Sequence, residues 1–331
     1  MSENLTHSDA AGSPYAGRTF IILNPAAGQD DPVRLRRLLG AAFAARQAPF
    51  DLAATEGPGH ASALARKAAL LGYRAVCVVG GDGTLAEAAT GLDGATTPLA
   101  IIPRGTGNQL AHNLRIPIHL EQAVEVAVNG VATPIDLGRI NGRIFALVAG
   151  AGFDAAVMAA ATRELKERWG FGAYIYAAVK EALTATPTRF RLSVDGKSID
   201  VHAVTVMIAN MGELFSAIIP FRLHLAPQPR LSWQDGLLDV VIVAPRKFPE
   251  FAGILWRAVH KQFGGDERLI HFQAREITIE SEPPIAVQID GDPAGETPVT
   301  ASVISGALQV LVPLPPPSSQ PRGEGRVERG A

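Results

Sequence analysis

Hydrophobic and polar positions follow two rhythms along this chain, and the rhythm changes near its middle. From Arg18, short apolar runs alternate with stretches whose apolar residues recur every three or four positions. Thr19–Leu23 reads as a strand ending at Asn24-Pro25, and a helix with Leu35, Leu38, Leu39 and Phe43 on one face follows it. His60–Leu71 predicts a second helix, Ala75–Val79 a buried strand, Leu85–Leu92 a helix, and Leu99–Ile102 a strand running into Pro103. Strands alternating with helices predict βαβ units, hence a doubly wound, mostly parallel sheet with helices on both faces.

After about Asp136 strands dominate. Ile140-Asn141-Gly142-Arg143 and Val194-Asp195-Gly196-Lys197 each set a hairpin turn. Strand-like runs cover Phe190–Val194, Ile199–Ile208, Leu238–Val243, Ile277–Ile279 and Ala286–Ile289, with helical stretches at Tyr174–Leu183 and Phe248–Phe263. The pattern predicts an α/β domain over 17–138 and an antiparallel, sandwich-like domain over 139–303. A last strand at Leu308–Val312 sends 304–313 back toward the first domain. Residues 1–16 and 314–331 read as tails, the latter too rich in Pro, Gly and charge to bury a core.

Composition narrows the function classes. In 331 residues, 47% are hydrophobic and 19% charged, as in packed globular proteins, and the net charge of −2 argues against a nucleic-acid partner. The single cysteine, Cys77, lies in an apolar run and reads as a buried structural thiol, so no disulfide framework exists and a cytoplasmic setting fits. The polar N-terminus lacks the pattern of a leader peptide, and no apolar stretch approaches the ~20 residues that span a bilayer. Contact with a membrane would be peripheral, on its inner face.

Candidate chemistry gathers where strands end. Val76-Cys77-Val78-Val79 runs into Gly80, Gly81, Asp82, Gly83 and Thr84 and then a helix carrying Glu87. Glycines let a ligand approach main-chain N–H groups, and a helix N-terminus presents unpaired donors to an anion. Asp82 adds no positive charge, so it suits Mg²⁺ or a hydroxyl proton. A second such loop, Arg104, Gly105, Thr106, Gly107 and Asn108, follows the strand ending at Pro103; a third, Asn24-Pro25-Ala26-Ala27-Gly28, follows the first strand. In a parallel sheet such loops share one edge, where ligands bind.

In order, NPAAG, GGDGTLAEAATGL, PRGTGNQLAHNL, a DG followed by LLDVVIV, and IDGDP resemble the diacylglycerol kinase catalytic family, from about Thr19 to Val312. The resemblance implies a nucleotide domain like those of NAD kinase and phosphofructokinase, a C-terminal β-sandwich with the lipid site, and ATP with Mg²⁺ between them. It implies that Asn24, Gly80 to Thr84, Glu87 and Gly105 to Asn108 line the nucleotide, with Asp82 near the transferred phosphate. Asp154 would lie near the lipid head group, and Arg163, with Lys166 and Arg168, would meet phosphates. Asp136 and Asp290 join Asp82 and Asp292 as candidate catalytic carboxylates, and Asp235 matches a position that helps hold a structural Mg²⁺ in some bacterial members.

Three departures from the family pattern stand out. The usual DGE is Asp290-Gly291-Asp292, one methylene shorter. The common Asp after GTGN is Gln109, and a Gly-rich run before Leu225-Ala226-Pro227 is replaced by Phe215–Phe221. Residues 246–263 place Phe248, Phe251, Leu255, Val259 and Phe263 on one helical stripe, which suits either the second domain's core or an interfacial helix. The alternatives are an NAD kinase-like phosphotransferase and a non-catalytic nucleotide or lipid binder. An oxidoreductase is disfavoured because the first strand lacks G-x-G-x-x-G. The acceptor is expected to be a lipid at the membrane surface, and a homodimer is left open.

Overall fold

The computed structural model describes residues 13–28, 30–160, 186–210, 213–214, 223–224, 233–245, 250 and 268–314. The elements run β1 (Thr19–Leu23), α1 (Pro32–Ala44), β2 (Phe50–Ala54), α2 (His60–Leu70), β3 (Ala75–Gly80), α3 (Asp82–Gly91), β4 (Leu99–Pro103), α4 (Gln109–Asn113) and α5 (Leu120–Asn129). The chain continues through β5 (Val131–Ile140), β6 (Arg143–Phe145), β7 (Val148–Gly152), α6 (Phe153–Ala160), β8 (Thr188–Val194), β9 (Lys197–Ala203) and β10 (Thr205–Ala209). It ends with β11 (Glu213–Leu214), β12 (Leu223–His224), β13 (Leu238–Val243), β14 (Leu269–Ala274), β15 (Glu276–Glu282), β16 (Ala286–Ile289), β17 (Asp292–Glu296) and β18 (Val299–Val312).

The wholly apolar β3 and β4 are buried along their whole length, as strands covered on both faces must be. With β2 and β1 they form a parallel array in the order β2-β1-β3-β4. One face packs Ile21, Cys77 and Ile102 against Leu35, Leu39 and Phe43 of α1 and Ala123 of α5. The other packs Ile22, Val78 and Ile101 against Ala65 of α2, Leu85 of α3 and Leu110 of α4. Leu38, expected on the buried stripe of α1, is instead 38% exposed, because the core-facing spacing is Leu35, Leu39, Phe43. Strand β2 escaped the hydrophobic pattern because its sequence, FDLAA, is half-exposed throughout; Asp51 within it pairs with Arg18 at 2.7 Å.

The second half carries an antiparallel sheet, β14-β13-β10-β7-β16-β17. Its inner face (Val206, Ile208, Val240, Ile242, Val287) meets Phe190, Leu192 and Ile277 of β8 and β15, making a sandwich core. The single run expected over Ile199–Ile208 breaks at Val204: β9 stays in the sheet of β8, and β10 joins the other. The helical stretches expected at Tyr174–Leu183 and Phe248–Phe263 lie outside the described residues, as does Phe215–Phe221.

Two long strands join the halves. β5 and β18 pair antiparallel from Val131↔Val312 to Ile140↔Ala301. Toward its end β18 also runs beside β4 (Val310↔Leu99), and at its start beside β15 (Ala301↔Ile277), so one sheet of ten strands extends from the parallel array into the sandwich. The β5–β18 register shifts between Ile304 and Leu308, and Asp136 lies opposite that bulge. Asp136 is 3% exposed, and its carboxylate accepts the Gly306 N–H at Oδ1 and the Gly236 N–H at Oδ2, both at 2.7 Å. Beyond the bulge, Gly138 faces Phe145 across the β5–β6 pair, and the buried Phe145 ring lies over the space a side chain would fill.

Candidate active site

Three loops at the carboxyl edge of the parallel strands interlock through their backbones. After β3, the Gly80 carbonyl accepts the Arg104 N–H at 2.9 Å. A Cβ on Gly105 would stand 2.5 Å from Gly81 Cα, so these glycines are required by the close approach of two main chains. Gly28 (φ +77°) comes as close to the same loop: its Cβ would stand 2.5 Å from the Arg104 carbonyl oxygen. Asn24 donates from Nδ2 to Thr84 Oγ1 at 2.8 Å and accepts the Ala26 N–H at Oδ1, tying the first loop to the start of α3. Asn108, in the left-handed region at φ +48°, closes the second loop by bonding both the N–H and the carbonyl of Gly105 at 2.8 Å.

The N-cap of α3, Gly81, makes no side-chain cap bond to the first-turn amides of this helix. Gly83 beside them is exposed, and a Cβ there would meet nothing within 4 Å. The exposed Thr106 borders the same edge. Backbone donors at the positive end of a helix suit an anion. Glu87, expected beside it, accepts the Ala61 N–H at 3.2 Å and so braces the start of α2.

The candidate carboxylates differ in what already occupies them. Asp82 accepts the Gln109 N–H at 3.0 Å on Oδ2 and the Leu110 N–H at 3.1 Å on Oδ1, so it caps α4 and joins the first two glycine loops. Burial raises its pKa against the pull of those amides. Asp290, half-buried at the turn between β16 and β17, accepts the N–H groups of Ala146, Leu147 and Val148 at 2.9 to 3.0 Å. Asp136 holds the junction bulge as described. Asp292, two residues past Asp290, is exposed, and its carboxylate has no hydrogen bond or ion pair among the described residues.

Burial pushes the Asp290 carboxyl up to about 6 despite its three amides, and the nearby Asp82 charge adds to the push. The folded state therefore holds this proton more tightly than the unfolded chain does. The stability it contributes is full below the unfolded value of 3.8 and is lost as pH rises through about 6. A carbon-detected titration of the Asp290 carboxyl should show a midpoint near 6; a midpoint below 4 would mean that the amides outweigh burial.

Asp235 is exposed and forms a local turn, accepting the Leu237 N–H at 3.0 Å; burial of its surroundings and the nearby Asp239 raise its pKa. Among the described residues no three His, Cys, Asp or Glu side chains converge to hold a metal, around Asp235 or elsewhere. Asp154 falls in α6, and Arg163 lies outside the described residues. Cys77 is buried with its thiol pushed up to about 12, an inert packing residue. Sequence reasoning missed Asn210, which donates to the carbonyls of Asp136 and Ala146, and the Asp239–His271 pair at 2.8 Å. Asp239 was visible as the charged residue within LLDVVIV, but His271 carried no signal of its own.

Comparison with known proteins agrees with this architecture. Residues 18–140 match the diacylglycerol kinase catalytic domain, and 147–312 match the YegS C-terminal NAD kinase beta sandwich-like domain. A diacylglycerol kinase of Mycobacterium tuberculosis is 32% identical over 310 residues, covering 90% of this chain and 96% of the relative. An uncharacterized Synechocystis protein is 28% identical, and the chain spans about half of it, 54%. A crystal structure of a putative diacylglycerol kinase from Bacillus anthracis superposes with a TM-score of 0.73 at 25% identity, over 89% of this chain and 97% of that one. The chain belongs to the diacylglycerol kinase family of lipid kinases.

Proposed function

We propose that this protein transfers the γ-phosphoryl group of ATP to a hydroxyl of a diacylglycerol-like lipid, with Asp292 orienting or accepting the hydroxyl proton. One observation carries the assignment of Asp292. Of the four candidate carboxylates, Asp82, Asp136 and Asp290 each accept two or three main-chain amides, and Asp292 accepts none. A group that must take up a proton during reaction is best left without such bonds.

The other residues position. The first-turn amides of α3 and the Gly105–Asn108 loop receive the phosphate chain, and Asn24 fixes Thr84 at its edge. Mg²⁺ fits as a companion of the nucleotide: such an ion takes one or two carboxylates plus phosphate oxygens, and Asp82 supplies one with lone pairs left after its two amides. When bound, the ion neutralises charge on the transferred group. Asp290, through Ala146 to Val148, fastens the turn bearing Asp292 to the start of β7. The acceptor is reached from a membrane surface, the protein associating peripherally with the inner face; no helix among the described residues is long and apolar enough to cross a bilayer.

The test is phosphate transfer from labelled ATP to a panel of diacylglycerol, phosphatidylglycerol, sphingoid bases and NAD. Labelled lipid product, dependent on Mg²⁺ and absent with NAD, is expected. Product with NAD alone would favour the NAD kinase-like reading, for which the sandwich's likeness to NAD kinase is the motive. Nucleotide binding with no product from any acceptor would mean a non-catalytic binder.

A further inference from the structure

Helix α1 carries its charge at the unfavourable end. Its basic residues, Arg34, Arg36 and Arg37, all sit in the first two turns, with no acidic residue in the first turn and no basic one in the last. Cations are favoured at the opposite terminus of a helix, so this arrangement costs α1 some stability. Nothing nearby offsets the cost. All three residues are exposed, and among the described residues they make no ion pair or hydrogen bond. The two acidic residues that precede the helix are engaged, Asp30 with the Arg104 guanidinium at 3.3 Å and Asp31 with the Val33 N–H at 3.0 Å.

Apolar residues stand out on the same surface. Val33 is 75% exposed, and Ile118, just before α5, is 65% exposed. Arg104 brings the two segments together: Nη1 donates to the Ile118 carbonyl at 3.2 Å, while Nε faces Asp30, three residues before Val33. Arg115, exposed and unpaired among the described residues, lies three residues before Ile118. Because Arg104 follows β4 and bonds the Gly80 carbonyl, this surface borders the loops assigned above to the nucleotide. A solvated face needs neither free arginines nor protruding aliphatics. A face that meets both lipid phosphates and the start of the acyl layer uses the two together.

We propose that the surface formed by the start of α1 and the approach to α5 docks on an anionic bilayer. Arg34, Arg36, Arg37 and Arg115 meet lipid phosphates, and Val33 and Ile118 enter the headgroup layer. The inference rests on the peripheral-membrane reading above and gives it a place on the molecule. The net charge of −2 makes the local positive charge the part that an anionic surface attracts.

The experiment is sedimentation of the full chain with vesicles of phosphatidylcholine alone and of phosphatidylcholine with phosphatidylglycerol, at low and high salt. Wild type should bind the anionic vesicles, bind neutral ones far less, and be released as salt rises. Arg34→Gln with Arg36→Gln and Arg37→Gln should weaken anionic binding by about 100-fold, at about fivefold per arginine. Val33→Ser with Ile118→Ser should weaken it by about tenfold. A control that removes the same charge from exposed positions elsewhere, Arg66→Gln with Lys67→Gln and Lys197→Gln, should bind as wild type does. Turnover of detergent-dispersed diacylglycerol should be unchanged in all three variants, which shows them folded. Anionic binding by the α1 variant within about twofold of wild type overturns the proposal, as does an equal loss in the control. Wild-type binding indifferent to salt and lipid charge also overturns it, and retention on heparin without vesicle binding would mean a soluble polyanion partner instead. If wild type binds no vesicle, the peripheral-membrane reading fails and this one with it; salt-sensitive wild-type binding with unaffected variants removes this one alone.

Discussion

Asp292→Asn is expected to lower kcat by about 10²–10⁴-fold while leaving ATP affinity within about twofold. The Asn side chain keeps the size and the exposed position but cannot take a proton from the acceptor hydroxyl. Because the Asp292 carboxylate makes no hydrogen bond among the described residues, the change should also leave Tm unaltered, which separates chemistry from folding. Asp292→Glu restores the longer side chain usual in the family pattern and should retain turnover. Steady-state kinetics on a responding lipid, with nucleotide affinity measured separately, decide the matter. A kcat for Asp292→Asn close to wild type would move the proton-handling role to one of the amide-bound carboxylates.

Gly138→Ala should be the most damaging of the small substitutions to stability. An added Cβ would stand 2.0 to 2.4 Å from three atoms of the Phe145 ring, which is fully buried and has nowhere to go. Overpacking of this kind costs about 3 kcal/mol or more, which lowers Tm by about 6 °C. Shrinking the ring relieves the clash, so Gly138→Ala with Phe145→Leu should recover part of the loss relative to Gly138→Ala alone. Thermal unfolding of the three variants checks both statements, and an unchanged Tm in Gly138→Ala would show that the β5–β6 pair yields easily.

Strands β1, β3 and β4 and helices α1, α2 and α3 were legible because their apolar residues carry the period of each element, β3 and β4 as unbroken runs and α2 and α3 as stripes, whereas the short α4 and the helix α5 went uncalled. The three cleft loops were legible because glycine and strand ends mark them locally. What acidic residues do there was not. Asp82 takes its partners 27 and 28 positions away, and Asp136 takes its own 100 and 170 positions away. A capping aspartate and a catalytic one look alike until the chain has folded. Strand β9 and strand β10 merged in the pattern for a similar reason, since passage from one sheet to another at Val204 leaves no polar interruption. The half-exposed β2 was missed because its edge position asks little of its side chains.

The long β5–β18 ladder has a consequence for the order in which the chain can mature. The parallel array gains its neighbour beyond β4 only when β18 is available, roughly 200 residues after β4 has been made. At 5–20 residues per second that interval is about 10–40 s, during which the edge of β4 and the unpaired length of β5 are open to other nascent chains. Edge-to-edge association is therefore expected to be strongest before the last strand emerges.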